Sequence, residues 1–171
     1  MTALFTPDLV YEAEALLSEL KRLGLRLVTV ESCTGGLIAG LLTEIPGASA
    51  VVERGLITYS DEAKTELAGV DAALIRAHGA VSEEVARAMA EGALKRAPVD
   101  VALAVTGIAG PDGGSPAKPV GLVYVAAAHK GSPTLVRDCR FGGIGRTPIR
   151  LASVKAALSL ARQAVSAAGR H

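Results

Sequence analysis

The chain has few aromatic residues, almost no net charge and no long apolar run, and each shortage argues against a class of function. Aromatic residues make up 3% of the 171 residues and tryptophan is absent, which disfavours a stacking platform for single-stranded nucleic acid. Eighteen basic and seventeen acidic residues leave a net charge of +1, too little to attract nucleic acid or an anionic membrane. No apolar run reaches the roughly 18 residues of a membrane span. We therefore expect neither a nucleic-acid partner nor a membrane partner.

Cysteine and histidine are also scarce. Cys33 and Cys139 lie far apart, and His78, His129 and His171 are scattered along the chain. No cluster of these residues with carboxylates has the spacing of metal ligands. We therefore expect free thiols in a reducing compartment, no bound metal and no cofactor. The N-terminal residues lack a basic segment followed by an apolar one, so no secretory signal is indicated and a cytoplasmic location is predicted.

The sequence does contain a regular succession of helix and strand signals, which we interpret as one domain over residues 1–171. Helices are predicted between residues 6 and 24 and over 37–45, 60–67, 71–78, 83–95 and 148–168, and strands over 26–30, 51–59, 99–105, 120–128 and 134–141. This order predicts an α/β fold, a three-layer α/β/α sandwich around a mixed, mostly parallel sheet with one antiparallel hairpin. The strand at 99–105 is the most apolar and is expected at the centre, and the strand at 51–59 nearer an edge.

Two glycine-containing junctions follow predicted strands, one at residues 31–36 and one at residues 106–114. In open α/β sheets, ligands bind beyond the carboxyl ends of the strands, so both junctions are expected to face one crevice. Gly35 and Gly36 allow close approach to the backbone and open a helix, whose first amides are free to hold a phosphate or a developing oxyanion. Ser32 and Thr34 either contribute to this chemistry or merely cap the helix, and the spacing alone leaves both alternatives open.

A serine nucleophile needs a base, and no histidine is well placed to be one. Lys64 is the other candidate, since it lies near the start of a helix, just past Tyr59. It acts as a base only if its pKa is lowered, and otherwise it is an ordinary solvated lysine. Cys33 is an alternative nucleophile. The chain contains neither the Walker A pattern nor the Rossmann glycine fingerprint, which argues against a nucleotide triphosphatase or a dehydrogenase.

Several longer motifs occur along the chain in a definite order. They are Glu31-Ser32-Cys33-Thr34-Gly35-Gly36, Glu53-Arg54-Gly55, Thr58-Tyr59-Ser60, Glu62-Ala63-Lys64, His78-Gly79-Ala80-Val81-Ser82, Thr106-Gly107-Ile108-Ala109-Gly110-Pro111-Asp112-Gly113-Gly114 and Lys118-Pro119-Val120-Gly121. Together they resemble the C-terminal domain family of the competence/damage-inducible protein CinA, over most of the chain. Stand-alone members of that family are nicotinamide-nucleotide amidases. Larger relatives carry a further N-terminal domain, for which we expect no room here.

The resemblance implies that the chain hydrolyses the carboxamide of nicotinamide mononucleotide to give nicotinic acid mononucleotide and ammonia. Matched motif by motif, it makes Ser32 the nucleophile and Lys64 the base. It implies that Tyr59 orients this pair, and it places Thr106 and Gly107 near the reacting amide.

The last helix opens with Arg146 and Arg150, which are four residues apart and therefore share one helix face. They are either ordinary surface charge or, as the resemblance implies, ligands of the substrate's phosphate. Relatives commonly read F-x-G-D-R before this helix, whereas residues 141–146 here contain one extra residue and no aspartate. The alternative to an amidase is a non-catalytic nucleotide-binding or regulatory module. Helix surfaces rich in alanine are compatible with a homodimer.

Overall fold

The computed structural model describes residues 4–169. Six helices and five strands follow the order that the sequence predicts. The helices are α1 (Pro7–Leu23), α2 (Leu37–Glu44), α3 (Asp61–Ala68), α4 (Ala72–His78), α5 (Glu83–Arg96) and α6 (Arg146–Ala168). The strands are β1 (Leu27–Glu31), β2 (Val52–Ile57), β3 (Val101–Gly107), β4 (Leu122–His129) and β5 (Leu135–Arg140). A 3-10 turn at Ala48–Ala50, for which the sequence contains no clear signal, precedes β2.

The five strands form one mixed sheet in the order β2-β1-β3-β4-β5. The first three of these strands run parallel, and β4 is antiparallel to both β3 and β5. The central position of β3, the edge position of β2 and the antiparallel β4–β5 hairpin are all confirmed. The predicted fold class, an α/β/α sandwich with a mostly parallel sheet, is therefore confirmed as well.

Alternating side chains of β3 divide the core into two halves, because successive residues of a strand point to opposite faces. Val101, Leu103 and Val105 pack with α1, α2 and α6. Ala102 and Ala104 lie on the other face, where the core includes side chains from α3, α4 and α5. The small alanines allow α5 to approach the sheet closely. The loops that leave the carboxyl ends of β1 and β3 therefore emerge between two helical layers.

Two element boundaries differ from the sequence prediction in ways that affect the candidate site. Strand β3 continues through Thr106 and Gly107, which were expected in a loop, because these residues still pair with Tyr124 and Val123 of β4. Helix α6 begins at Arg146 instead of two residues later, since the carbonyl of Gly145 already accepts a hydrogen bond from Ile149. Within residues 4–169, no helix has the length and apolar character needed to cross a membrane.

Candidate active site

A cavity of about 280 Å³ opens where β1 and β3 end, close to the lower limit of roughly 300 Å³ for ligand pockets. Its walls include Ser32, Lys64, Thr106 and Arg146. A larger cleft of about 480 Å³ lies between α3 and α4, but neither Ser32 nor Lys64 lines it. We therefore take the smaller cavity as the candidate site.

Ser32 directly follows the carboxyl end of β1 and is held there by a hydrogen bond to the neighbouring strand. Its amide donates a hydrogen bond to the carbonyl of Val105 at 3.0 Å, which continues the pairing of β1 with β3. The side chain is buried, and its Oγ lies 3.2 Å from the Nζ of Lys64. Neither Ser32 nor Thr34 caps α2, whose N-cap is Gly36 without a side-chain bond. The cap interpretation of these two hydroxyls is therefore wrong.

Lys64 is almost completely buried, with 1% of its surface exposed. Helix α3 starts at Ser60, whose hydroxyl accepts a hydrogen bond from the amide of Ala63 at 3.0 Å, and this start places Lys64 in the first helical turn. The Nζ atom lies 2.9 Å from the carbonyl oxygen of Thr58, 3.3 Å from that of Tyr59 and 3.4 Å from that of Ser60. The amine is thus surrounded by backbone acceptors.

Burial is the main influence on Lys64, and it lowers the pKa of the amine below its ordinary value of 10.5. The carboxylate of Asp61, one helical turn earlier, partly opposes this shift. A neutral amine has two N–H donors and one lone pair. Nζ donates to Oγ of Ser32 in the structure; in the deprotonated amine, two N–H donors remain for the carbonyls and the lone pair can accept the hydroxyl hydrogen of Ser32. This arrangement has the geometry of a nucleophile next to its base.

Tyr59 lies at the rim of the cavity, not between the serine and the lysine. Its side chain is 63% exposed, and its hydroxyl accepts a hydrogen bond from Nη2 of Arg146 at 3.4 Å. The residue contacts Lys64 through its backbone carbonyl. The expectation that the Tyr59 hydroxyl orients the pair is therefore not matched by its position, because the chain turns into α3 here and directs the ring outward.

Thr106 and Gly107 lie in the cavity wall, as expected. The Thr106 hydroxyl donates to the carbonyl of Ala80 at 2.8 Å, so its oxygen keeps only acceptor capacity for any further partner. Gly107 is required by packing against the neighbouring strand, because an added Cβ would lie 2.5 Å from a methyl carbon of Val123. A larger residue at this position would push β4 away from β3.

Gly35 and Gly36 are not part of the cavity wall. An added Cβ at Gly35 would lie 3.3 Å from the guanidinium of Arg150, and one at Gly36 would lie 3.3 Å from Ile57. Both glycines also have positive φ angles, +58° and +98°, which L side chains rarely adopt. They therefore serve the turn and its packing, and they lie outside the wall of the cavity that holds Ser32 and Lys64.

The first amides of α2 are not free donors either. The carboxylate of Glu31 accepts hydrogen bonds from the amides of Ile38 at 2.9 Å and Ala39 at 3.0 Å. The Gly35 amide donates to the Ser32 carbonyl at 3.0 Å. The expected phosphate or oxyanion site at this helix terminus is therefore wrong for these amides, because a buried carboxylate from the preceding strand already occupies the terminus.

The two arginines of α6 point to different partners. Arg146 lies in the cavity wall and donates to the carbonyl of Gly110 at 2.8 Å. Arg150, one turn further, donates from Nε to the carbonyl of Cys33 and from Nη2 to that of Thr34, each at 3.0 Å. Arg150 is therefore held by the loop after β1, and its expected place beside Arg146 as a phosphate ligand is not matched by the structure.

Cys33 also lines the cavity, but its thiol is poorly suited to attack. Burial raises the pKa of this thiol to about 11, so the thiolate is rare near neutral pH.

Sequence reasoning did not single out three acidic residues near the site. Glu31 stood inside a recognised motif, and its position just before a helix start was the available signal. Asp61 and Asp112 lie in the cavity wall; the signal for Asp112 was its place in the 106–114 junction, and nothing in the local sequence of Asp61 indicates its position. Within residues 4–169, no group of three or more histidine, cysteine or acidic side chains is placed to hold a metal ion.

Fold and site together define a class, an α/β/α domain with a buried lysine facing a serine at the carboxyl edge of a mixed sheet. The CinA C-terminal domain model matches residues 11–165. The chain belongs to the CinA C-terminal domain family.

Individual relatives agree with this assignment. A CinA-like protein of Mycolicibacterium vanbaalenii is 51% identical over 146 residues, which are 85% of this chain and 34% of that protein. The chain thus spans about a third of the length of such relatives. The crystal structure of the competence/damage inducible protein CihA from Agrobacterium tumefaciens has a TM-score of 0.91 at 50% identity, covering 93% of this chain and 96% of the other. A CinA superfamily protein from Escherichia coli has a TM-score of 0.86 at 33% identity, covering 95% of both chains.

Proposed function

We propose that the chain is an amidohydrolase that converts nicotinamide mononucleotide and water into nicotinic acid mononucleotide and ammonia. The observation that carries the proposal is the distance of 3.2 Å between Nζ of the buried Lys64 and Oγ of Ser32. A buried amine beside a hydroxyl is the arrangement of a serine nucleophile with a lysine base. The family resemblance supplies the substrate.

In this mechanism, Lys64 takes the hydroxyl proton of Ser32 while Oγ attacks the carboxamide carbon. The resulting tetrahedral intermediate carries its negative charge on the former carbonyl oxygen. Collapse breaks the C–N bond, and Lys64 returns its proton to the departing ammonia. Water then attacks the acyl carbon while Lys64 takes one of its protons; the C–Oγ bond breaks, and Lys64 returns the proton to Oγ of Ser32. General acid–base catalysis of this kind contributes about 10²–10⁴-fold to a rate.

The oxyanion of the intermediate needs a fixed donor. We assign this role to the backbone amide of Cys33, because it follows the nucleophile directly and the residue lines the cavity. An amide in this position serves the same purpose after the nucleophile of α/β-hydrolases. The amide of Gly35 is already committed to the Ser32 carbonyl.

The charges around the cavity suit the two charges of the proposed substrate. Nicotinamide mononucleotide carries a cationic pyridinium ring and an anionic phosphate. The carboxylates of Asp61 and Asp112 line the same cavity as the guanidinium of Arg146. A pyridinium near the carboxylates and a phosphate near the arginine would both gain electrostatic energy.

The direct test measures ammonia release by the purified chain with nicotinamide mononucleotide, nicotinamide riboside or nicotinamide. We expect the mononucleotide to be hydrolysed with the highest kcat/KM, because only it carries the phosphate and the pyridinium charge together. The riboside lacks the phosphate, so its kcat/KM measures the phosphate contribution. Nicotinamide lacks both the phosphate and the pyridinium charge, so its kcat/KM measures the two contributions together. Binding of the mononucleotide without ammonia release would overturn the proposal and instead support a non-catalytic nucleotide-binding module.

The pH dependence of turnover provides an independent check. Only the neutral amine of Lys64 accepts a proton, so kcat is expected to rise with pH and level off above the lowered pKa, below pH 10.5. The Asp61 carboxylate raises the pKa of Lys64, so Asp61→Asn is expected to move the rising limb to lower pH. A pH–rate profile of both proteins measures this shift. An unchanged midpoint, or a shift to higher pH, would contradict the assignment of Lys64 as the base.

A further inference from the structure

Glu31 is a buried carboxylate with no role in the proposed chemistry. Its side chain is 1% exposed, and both of its oxygens accept hydrogen bonds from the first amides of α2. The negative charge sits at the positive end of the helix dipole, which stabilises it there. The side chain thus connects the last residue of β1 to α2, across the loop that begins with Ser32.

The backbone of Glu31 makes a second connection. Its carbonyl accepts a hydrogen bond from the amide of Thr58 at 2.8 Å, and the carbonyl of Thr58 accepts one from Nζ of Lys64 at 2.9 Å. Thr58 therefore contacts Glu31 through its amide and Lys64 through its carbonyl, so a single residue links the neighbour of the nucleophile to the base. A displacement of Glu31 would alter the serine and the lysine positions together.

Arg150 of α6, which lies in the same helical layer as α2, restrains the same loop on the other side of Ser32. Its guanidinium donates to two successive carbonyls, those of Cys33 and Thr34. The planar guanidinium holds two acceptors in fixed directions, which a lysine ammonium on a flexible stem does not. The Arg150 contact therefore fixes the backbone on the C-terminal side of Ser32.

We propose that Glu31 and Arg150 are positioning residues, which hold the backbone on either side of Ser32 so that its hydroxyl meets the amine of Lys64. Neither residue needs to touch the substrate. The inference rests on the proposed function only in that Ser32 is the nucleophile; it does not depend on which amide is hydrolysed.

A covalent probe of the serine tests this without the natural substrate. An alkyl fluorophosphonate reacts when Ser32 Oγ forms a bond to phosphorus, fluoride leaves with the P–F bonding pair, and Lys64 takes the hydroxyl proton. The pseudo-first-order rate of mass increase, with the site located by peptide mapping, is measured for the wild type, Glu31→Gln and Arg150→Lys. The matched control is Asp71→Asn, the same carboxylate-to-amide change at α4, where Asp71 accepts from the amide of Ala73 at 2.8 Å.

Both positioning variants are expected to react about 10- to 100-fold more slowly, since small misplacements of reacting groups cost factors of this size. The control is expected to stay within about twofold of the wild type, as for substitutions away from a site. Each rate constant is divided by the folded fraction from circular dichroism, because reversible unfolding lowers the observed rate constant in proportion, whereas irreversibly unfolded protein lowers only the labelled fraction. Arg150→Lys, which alters a half-buried side chain, provides the test if Glu31→Gln does not fold.

The outcomes separate this inference from the proposed function. Wild-type rate constants in both folded variants, with only the labelled fraction reduced, would mean a purely structural role and overturn it. The absence of wild-type labelling at Ser32 would overturn it too. If both variants are labelled more slowly but the wild type releases no ammonia from nicotinamide mononucleotide, the positioning role is supported and the proposed substrate is rejected.

Discussion

Replacing Lys64 with methionine is expected to reduce ammonia release from nicotinamide mononucleotide by about 10²–10⁴-fold, the usual contribution of a general base. Methionine has a similar length and no amine, so the hydroxyl of Ser32 loses its proton acceptor. The carbonyl of Thr58 loses its bond from Nζ, at a cost of about 1–3 kcal/mol, and the fold is expected to survive this loss. Steady-state kinetics together with circular dichroism measure both properties.

The matched control is Lys155→Met on α6, where the lysine is 56% exposed and forms an ion pair with Asp8. This variant is expected to keep wild-type turnover, because Lys155 does not line the cavity and an exposed ion pair contributes little to stability. If Lys64→Met also turned over substrate at nearly the wild-type rate, the serine–lysine mechanism would be excluded.

Lys64→Met is also expected to change how the free energy of unfolding depends on pH. Burial lowers the pKa of Lys64 in the folded state, so the unfolded chain binds the proton more tightly and protonation destabilises the fold. This destabilisation is fully present below the folded pKa and is lost as the pH rises to the unfolded value of about 10.5. The free energy of unfolding of Lys64→Met relative to the wild type is therefore expected to decrease over that window. Urea titrations at several pH values measure it.

The second large effect is expected at Gly92, in the interior of α5. An added Cβ at this position would lie 1.7 Å from the carbonyl oxygen of Ala68, at the end of α3. The obstacle is backbone, so α3 and α5 would have to separate. We expect Gly92→Ala to cost about 3 kcal/mol despite the better helix propensity of alanine, or roughly 6–12 °C in Tm. Since α3 carries Lys64, turnover should fall as well.

Gly40 in α2 provides the control for helix propensity alone. An added Cβ there would lie 3.8 Å from the ring of Phe5, an ordinary contact. Gly40→Ala is therefore expected to stabilise the protein by about 0.5–1 kcal/mol. Thermal denaturation of both variants measures the contrast. A Tm for Gly92→Ala equal to that of Gly40→Ala would contradict the close approach of α3 and α5.

Local signals were sufficient to predict most of the fold. Ser60 and Ser82 accept the N-terminal hydrogen bonds of α3 and α5, and Gly24 ends α1 in a left-handed conformation. Such caps depend on a few neighbouring residues, so they can be read from the sequence. The end of β3 could not be predicted from local sequence, because Thr106 and Gly107 join the strand only through their pairing with β4, which is distant in the chain.

The candidate site was predicted less completely, and the failures have a common origin. Helical spacing correctly puts Arg146 and Arg150 on one face, but their partners come from different loops. Tyr59 lies in the expected segment, whereas its ring direction follows from how the chain enters α3. Glu31 was recognised within a motif, and its carboxylate finds its donors only once α2 has packed against β1.

The sequence by itself determined the succession of helices and strands and the presence of a serine and a lysine beside predicted helix starts. Only the tertiary structure decided that these two side chains, 32 residues apart, approach to 3.2 Å. It also decided that the amine is buried and that one arginine faces the cavity while the other holds a loop. The physical reason is that helix and strand signals are local, whereas proximity and desolvation arise from strand order and from packing between layers.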